Sequence, residues 1–162
     1  MLGLTTCMRA ANENQPERVT AMQLVESPQQ FSGKRVIVEG YWITGYEWSY
    51  LSSKLDNSQP LPIWLERWMM NSSEPPIDIA AIASAVDKAD QTGRLTPTNS
   101  SRQYWIKCIG RFTHVTVRRS TREKPGLGFG HLGVYPSQFR LEKIIEIRAM
   151  PLPKDFFPEL PE

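Results

Sequence analysis

Residues 126 to 137, GLGFGHLGVYPS, set four glycines (Gly126, Gly128, Gly130 and Gly133) around His131, one of only two histidines in the chain. Such a run can serve two chemistries: closing backbone N–H groups on a phosphate, or presenting an imidazole that moves a proton or ligates a metal. A phosphate cradle has to lead from a strand into a helix N-terminus, where unpaired N–H groups and the helix dipole meet the anion. Here the run leads into Val134, Tyr135, Pro136 and then a β-rich segment, without the Gly-Lys-Ser/Thr ending. The glycines therefore predict a tight strand-to-strand connection that uses positive φ. His131 is expected at the rim of the structure they connect, bonding the glycine-rich backbone, and it is kept as a candidate ligand contact.

A metal site needs three or four convergent ligands. The only other histidine is His114, and carboxylates such as Glu47 and Glu66 are scattered. Cys7 and Cys108 form neither a ligand spacing nor a disulfide framework. Cys108 lies in an apolar segment and reads as core. No Ser-His-Asp order and no spaced pair of carboxylates is evident, so the residues imply no cofactor, no metal and no enzyme activity.

Charge distribution points to binding. From Arg102 to Lys124 seven basic residues stand against the single acid Glu123, a local charge of +6 in a chain whose net charge is +2. A basic groove with aromatic platforms is the equipment of single-strand nucleic-acid binders. The candidate ligand-binding residues are Trp42, Tyr46, Trp48, Trp105, Arg111, Arg118, Arg119, Arg122, Lys124 and His131. Two alternatives stay open. The arginines of the loop can be plain solvated surface. Trp42, Tyr46, Trp48 and Tyr50 share one parity, yet a hairpin at Gly45 can switch faces, and Val36 and Val38 of the same parity look like core. Trp64, between Ile63 and Leu65, is expected in the core.

These residues need a scaffold. The chain of 162 residues is 40% hydrophobic and 22% charged, which suits one folded domain rather than a disordered chain. Thr20 to Val25 predicts a short helix with Thr20 as N-cap and Gln23 three residues on. Residues 35 to 53 are rich in β-branched and aromatic types and predict a hairpin turning at Gly45. Residues 61 to 68, LPIWLERW, predict a third strand. Residues 69 to 103 interrupt the sheet with a helix from Asp78, as N-cap, to Gly93, as C-cap. Ile79, Ile82, Ala83 and Val86 form its expected apolar stripe. Residues 104 to 117 and 139 to 148 predict the fourth and fifth strands.

Five strands with a helix between the third and fourth is the order of an OB-fold, a five-stranded Greek-key barrel. The expected fold is therefore mainly β. VIVEGYW (36 to 42) and IKCIGRF (106 to 112) share aliphatic, x, small apolar, x, Gly, x, aromatic. Glycine weakens a strand interior, so Gly40 and Gly110 mark sharp bends where a barrel curls.

The stretches VESPQQFSGKRVIVEGYW and GHLGVYPSQFRLEKIIEI resemble a bacterial family of small OB-fold-like domains, largely uncharacterised, with the patterns NPxxYxGKxVxVxGY and GHxGxFxxxIxxI. Pro28, Phe31, Gly33, Lys34, Val36, Val38 and Gly40 carry the first, Glu47 and Leu51 an intermediate part, and Gly130, His131, Gly133 and Ile144 the last. The resemblance implies an OB-like barrel and brings no assigned reaction. The longer helical insert and the basic loop before GLGFGH depart from the pattern.

Three segments follow: a leader over 1–18, the barrel domain over 19–149 and a proline-rich tail over 150–162. Leu4 to Cys7 looks like a damaged lipobox with a polar tether. A signal peptide, however, needs an apolar run of about 7 to 15 residues, and six residues precede Cys7. Either the start is truncated and Cys7 carries a lipid anchor, or Cys7 is incidental. No run approaches the length of a membrane span. The tail, with four prolines and Phe156, Phe157 and Leu160 among its apolar residues, can lie on a partner. The expected function is a non-enzymatic binding module with a protein or envelope partner, in a periplasmic or envelope-associated setting. Single-stranded nucleic acid is the alternative ligand.

Overall fold

The computed structural model describes residues 15–45, 48–55, 62–66, 78–93, 102–116, 128–130, 133 and 135–151. In chain order these form β1 (Glu17–Thr20), α1 (Ala21–Glu26), α2 (Pro28–Phe31), β2 (Arg35–Thr44), β3 (Ser49–Ser52), β4 (Ile63–Glu66), α3 (Ile79–Gly93), β5 (Arg102–His114) and β6 (Ser137–Met150). Five strands close into a barrel in the order β2-β3-β4-β6-β5, with β5 pairing back to β2. All of its pairings are antiparallel except β4 with β6, which runs parallel. The protein is thus a mainly β, OB-like barrel, and α3 falls between its third and fourth strands.

Alternation builds the interior. Val36, Val38 and Trp42 of β2 point inward with Leu51, Ile63, Leu65, Ile106, Cys108, Phe112, Phe139 and Leu141, and all are essentially inaccessible to solvent. Each large side chain buried in this way contributes about 1.5–3 kcal/mol relative to exposure. Cys108 is core, as its surroundings in the sequence predict, and burial pushes its thiol well above the ordinary range.

The two glycine motifs turn out to be partners. β2 and β5 pair so that Gly40 faces Ile106, Gly110 faces Val36, and Val38 faces Cys108 at the centre. Both glycines take inward positions that neighbouring groups fill. At Gly40 the partner on one edge of β2 changes from β1 to β3. A Cβ at Gly40 would come within 2.9 Å of both the Ala21 Cβ and the Ser52 carbonyl oxygen. Gly110 borders a register shift between β5 and β6, the bulge that lets the barrel curl.

The short helices follow their caps. The Thr20 hydroxyl accepts from the Gln23 N–H at 3.2 Å, and the Gln23 side chain accepts from the Thr20 N–H at 2.8 Å, a complete capping box. Asp78 Oδ1 accepts from the Ala81 N–H at 2.9 Å and starts α3.

Three expectations need correcting. Glu17 and Arg18, assigned to the leader, belong to β1, which lies parallel to β2 over residues 36–39. Residues 17 and 18 are therefore part of the folded sheet. The buried stripe of α3 is Ile82 and Ala89 with Val86 partly buried, whereas Ile79 and Ala83 face outward. The helix is turned to meet β6 and Tyr104, whose hydroxyl donates to Asp90 Oδ1 at 2.8 Å. Finally, β5 spans residues 102–114, starting two residues earlier and stopping three earlier than expected, while β6 runs past both expected ends, over residues 137–150. Most of the tail, and Cys7, lie outside the described residues.

Candidate functional site

The outer face of β3 and β4 gathers aromatic rings. Leu51, Ile63 and Leu65 occupy the barrel interior, so the intervening Tyr50 and Trp64 point outward, directly opposite each other across the β3–β4 pair. The Trp48 ring centroid is 5.7 Å from that of Tyr50, and the Tyr135 centroid is 5.2 Å from that of Trp64. One row of four rings results, all of them half-buried.

Polar groups line the same row. The Trp64 indole donates to Glu66 Oε2 at 3.1 Å, and the Gln138 amide reaches the same oxygen at 3.5 Å. Burial holds the Tyr50 phenol above its ordinary pKa, with the charge of Tyr135 adding to the effect, and burial alone raises Tyr135. Both hydroxyls therefore stay protonated across the physiological range and can donate hydrogen bonds.

The glycine-rich run shapes one wall. Phe129 and Tyr135 form an antiparallel bridge, exchanging hydrogen bonds of 2.7 and 3.2 Å, and the Gly133 N–H donates to the Gly130 carbonyl at 3.1 Å. Gly130 and Gly133 have φ of 72° and 63°, the left-handed region that the sequence predicts for this connection. A Cβ at Gly130 would come 2.5 Å from the Trp64 ring. Glycine is needed there because the backbone itself lies on the indole.

Among the described residues, Trp48 and Tyr50 of the parity set offered as platforms fall in this row. Trp42 is a correction: it is fully buried, its indole donates to Ser49 Oγ at 3.1 Å, and its ring packs on Tyr104 at 5.2 Å, so it is core and no platform. Trp105 faces outward on β5, where the Arg148 guanidinium lies 4.3 Å from its ring centroid. Arg111 is exposed and donates to the Gly33 carbonyl at 2.8 Å, tying β5 to the turn before β2. Tyr46, Arg118, Arg119, Arg122, Lys124 and His131 lie outside the described residues. His114 has a structural setting, with Nδ1 2.8 Å from Ser137 Oγ and its N–H donating to Ser32 Oγ.

Trp64 and Tyr135 join the row without having been expected there from the sequence. Trp64 is a further correction, half-buried on the outer face rather than in the core. The signal was present in IWLE, where strict alternation places Ile63 and Leu65 on one side and Trp64 and Glu66 on the other.

Among the described residues no three His, Cys, Asp or Glu side chains converge as metal ligands, and no helix is long and apolar enough to cross a membrane. Chemically, the row offers flat apolar contact with hydroxyl, indole and amide groups at its margins. Comparison with known proteins gave no matching family model, no matching curated protein and no matching solved structure.

Proposed function

We propose that this chain is a non-enzymatic binding module that takes a segment of another protein on the outer face of β3 and β4. The supporting observation is the row Trp48, Tyr50, Trp64 and Tyr135, on the strands and beside the loops that carry ligands in OB barrels. Aromatic rings with polar tips are the side chains that protein interfaces favour. The charged group bonded to the Trp64 indole is a carboxylate. A phosphodiester backbone would call for cations at that place. An envelope setting, a lipid on Cys7 and kinship with the OB-fold-like bacterial family belong to the same proposal and rest on the sequence motifs alone.

Single-stranded nucleic acid is the competing ligand, because bases also stack on such rings and because residues 102–124 carry seven basic side chains. One experiment separates the two. The wild-type chain and a Trp48→Ala, Tyr50→Ala double variant are immobilised and exposed to an extract of the source cells. In parallel, labelled oligothymidylate and oligouridylate are titrated at low and physiological salt. The proposal expects a defined protein retained by the wild type and lost by the variant, with no oligonucleotide complex. Oligonucleotide binding that falls steeply with salt would replace it with the nucleic-acid reading.

A further inference from the structure

β6 is 14 residues long and pairs with β5 along its whole length, yet β4 covers only Gln138, Phe139 and Arg140 of its other edge. From Leu141 to Met150 no strand among the described residues takes that edge. Alternate residues of an antiparallel strand turn their N–H and C=O groups away from the paired neighbour, so this stretch offers an open ladder.

The open stretch divides at two bulges. The register with β5 shifts between Ile109 and Gly110 and again between Lys107 and Cys108, leaving Glu142 and Ile145 as extra residues on β6. Bulges twist an edge and discourage pairing. Glu142 is also held by Arg35 Nε at 2.7 Å. Beyond the second bulge, residues 146–150 pair regularly with β5. This segment is the part of the edge fit to receive another strand.

α3 runs beside that segment and leaves a cavity of about 510 Å³ between helix and strand. The volume lies within the ~300–1,000 Å³ of ligand clefts. Ala85, Ala89, Ile147 and Ala149 make the walls apolar, and the two alanines on the helix leave room for incoming side chains. Lys88 stands at the rim without an ion-pair partner among the described residues. The other rim charges satisfy each other, since Arg148 Nε lies 3.1 Å from Glu146 Oε1 and its guanidinium also covers the Trp105 ring.

We propose that the groove between α3 and residues 146–150 of β6 binds an extended peptide segment of a partner protein, alternately apolar and acidic, which adds to the barrel as a further strand. The ladder edge demands an extended backbone, the alanine and isoleucine walls take its apolar side chains, and Lys88 pairs with an acidic one. This second surface is separate from the aromatic face and stands without it.

The test uses the full chain and fluorescein-labelled decapeptides, read by anisotropy and by hydrogen exchange. The first peptide alternates glutamate with valine, and a second alternates lysine with valine. Two further versions of the first carry backbone N-methyl groups on every valine or on every glutamate, so that one of them loses the N–H groups that must face β6. The glutamate peptide is expected to bind about tenfold more tightly than the lysine peptide, to protect amides of residues 146–150, and to lose at least about tenfold in one methylated version. Lys88→Glu, an exposed change whose fold is checked by circular dichroism, is expected to reverse the charge preference. Absence of binding at millimolar peptide, equal binding of all methylated versions, or protection over residues 49–66 instead would overturn the proposal. So would binding that appears only after residues 152–162 are deleted, because the chain's own tail would then be the occupant.

Discussion

The α-carbon of Gly110 lies against the ring of Phe139, so closely that a Cβ there would come 2.5 Å from the ring Cε1 and 2.2 Å from the Arg140 carbonyl oxygen. An inward position of β5 is thus filled from β6, and the two strands approach at the bulge more tightly than any side chain would permit. Gly40 plays the related part on β2, with its nearest obstacles at 2.9 Å. Gly110→Ala is therefore expected to cost about 3 kcal/mol or more, and Gly40→Ala about 1–2 kcal/mol, by urea denaturation. Equal midpoints for the two variants would show that the barrel relaxes at Gly110 and that the bulge does not fix its closure.

The Tyr104 hydroxyl bonds Asp90 on α3 at 2.8 Å, and Arg102 Nε lies 3.7 Å from the other carboxylate oxygen. This places the helix on the barrel. Tyr104→Phe should cost about 1 kcal/mol, the net worth of one hydrogen bond. Amide exchange should quicken within Ile79–Gly93 and change little in β5. A uniform rise across both elements would mean that the bond stabilises the whole fold and not the helix alone.

Tyr50 and Tyr135 predict a pH dependence at the alkaline end. Ionising a phenol creates charge, and burial disfavours that charge in the fold, so both folded-state pKa values lie above the ordinary 10.0. The unfolded chain then loses these protons first. Stability from this source is intact below pH 10 and declines as pH rises from there through the folded-state values. Tyr135→Phe should lower the Tyr50 pKa toward the ordinary value by removing a neighbouring negative charge. Ultraviolet titration of the tyrosinate band in wild type and variant checks both the order and the sign.

Cys108 is enclosed opposite Val38 at the centre of the β2–β5 pair, with its thiol pKa raised by burial. Alkylation of Cys108, followed by peptide mapping so that Cys7 is scored separately, should be negligible in the native chain and should appear along the urea unfolding curve. Rapid labelling in native buffer would show that the barrel opens locally at its centre. Cys108→Ser should destabilise by about 1–3 kcal/mol, since it puts a hydroxyl into a fully buried place in the apolar core.

Local chemistry made much of the fold legible. The capping box at Thr20 and Gln23, the Asp78 N-cap, the turn at Gly45 and the alternation in residues 35–44 and 104–112 each depend on neighbours a few residues apart, and each appears where the sequence places it. The strand β1 escaped notice because ERVT has too few residues to show a period. It is a strand because β2 offers it an edge.

The binding face required the tertiary structure. Trp42 and Tyr50 share one parity, but the core-facing Trp42 of β2 pairs with the core-facing Leu51 of β3, so Trp42 fills the core while Tyr50 looks outward. Tyr50 meets Trp64 through the β3–β4 register, and Tyr135 reaches Trp64 from residues more than sixty positions away along the chain. Sequence by itself determined the five barrel strands, the caps and the glycines that permit close approach, because those are short-range steric and hydrogen-bonding preferences. Which side of each strand becomes interior, and which rings come together outside, was decided by long-range pairing, since burial is a property of the closed barrel rather than of any segment in it.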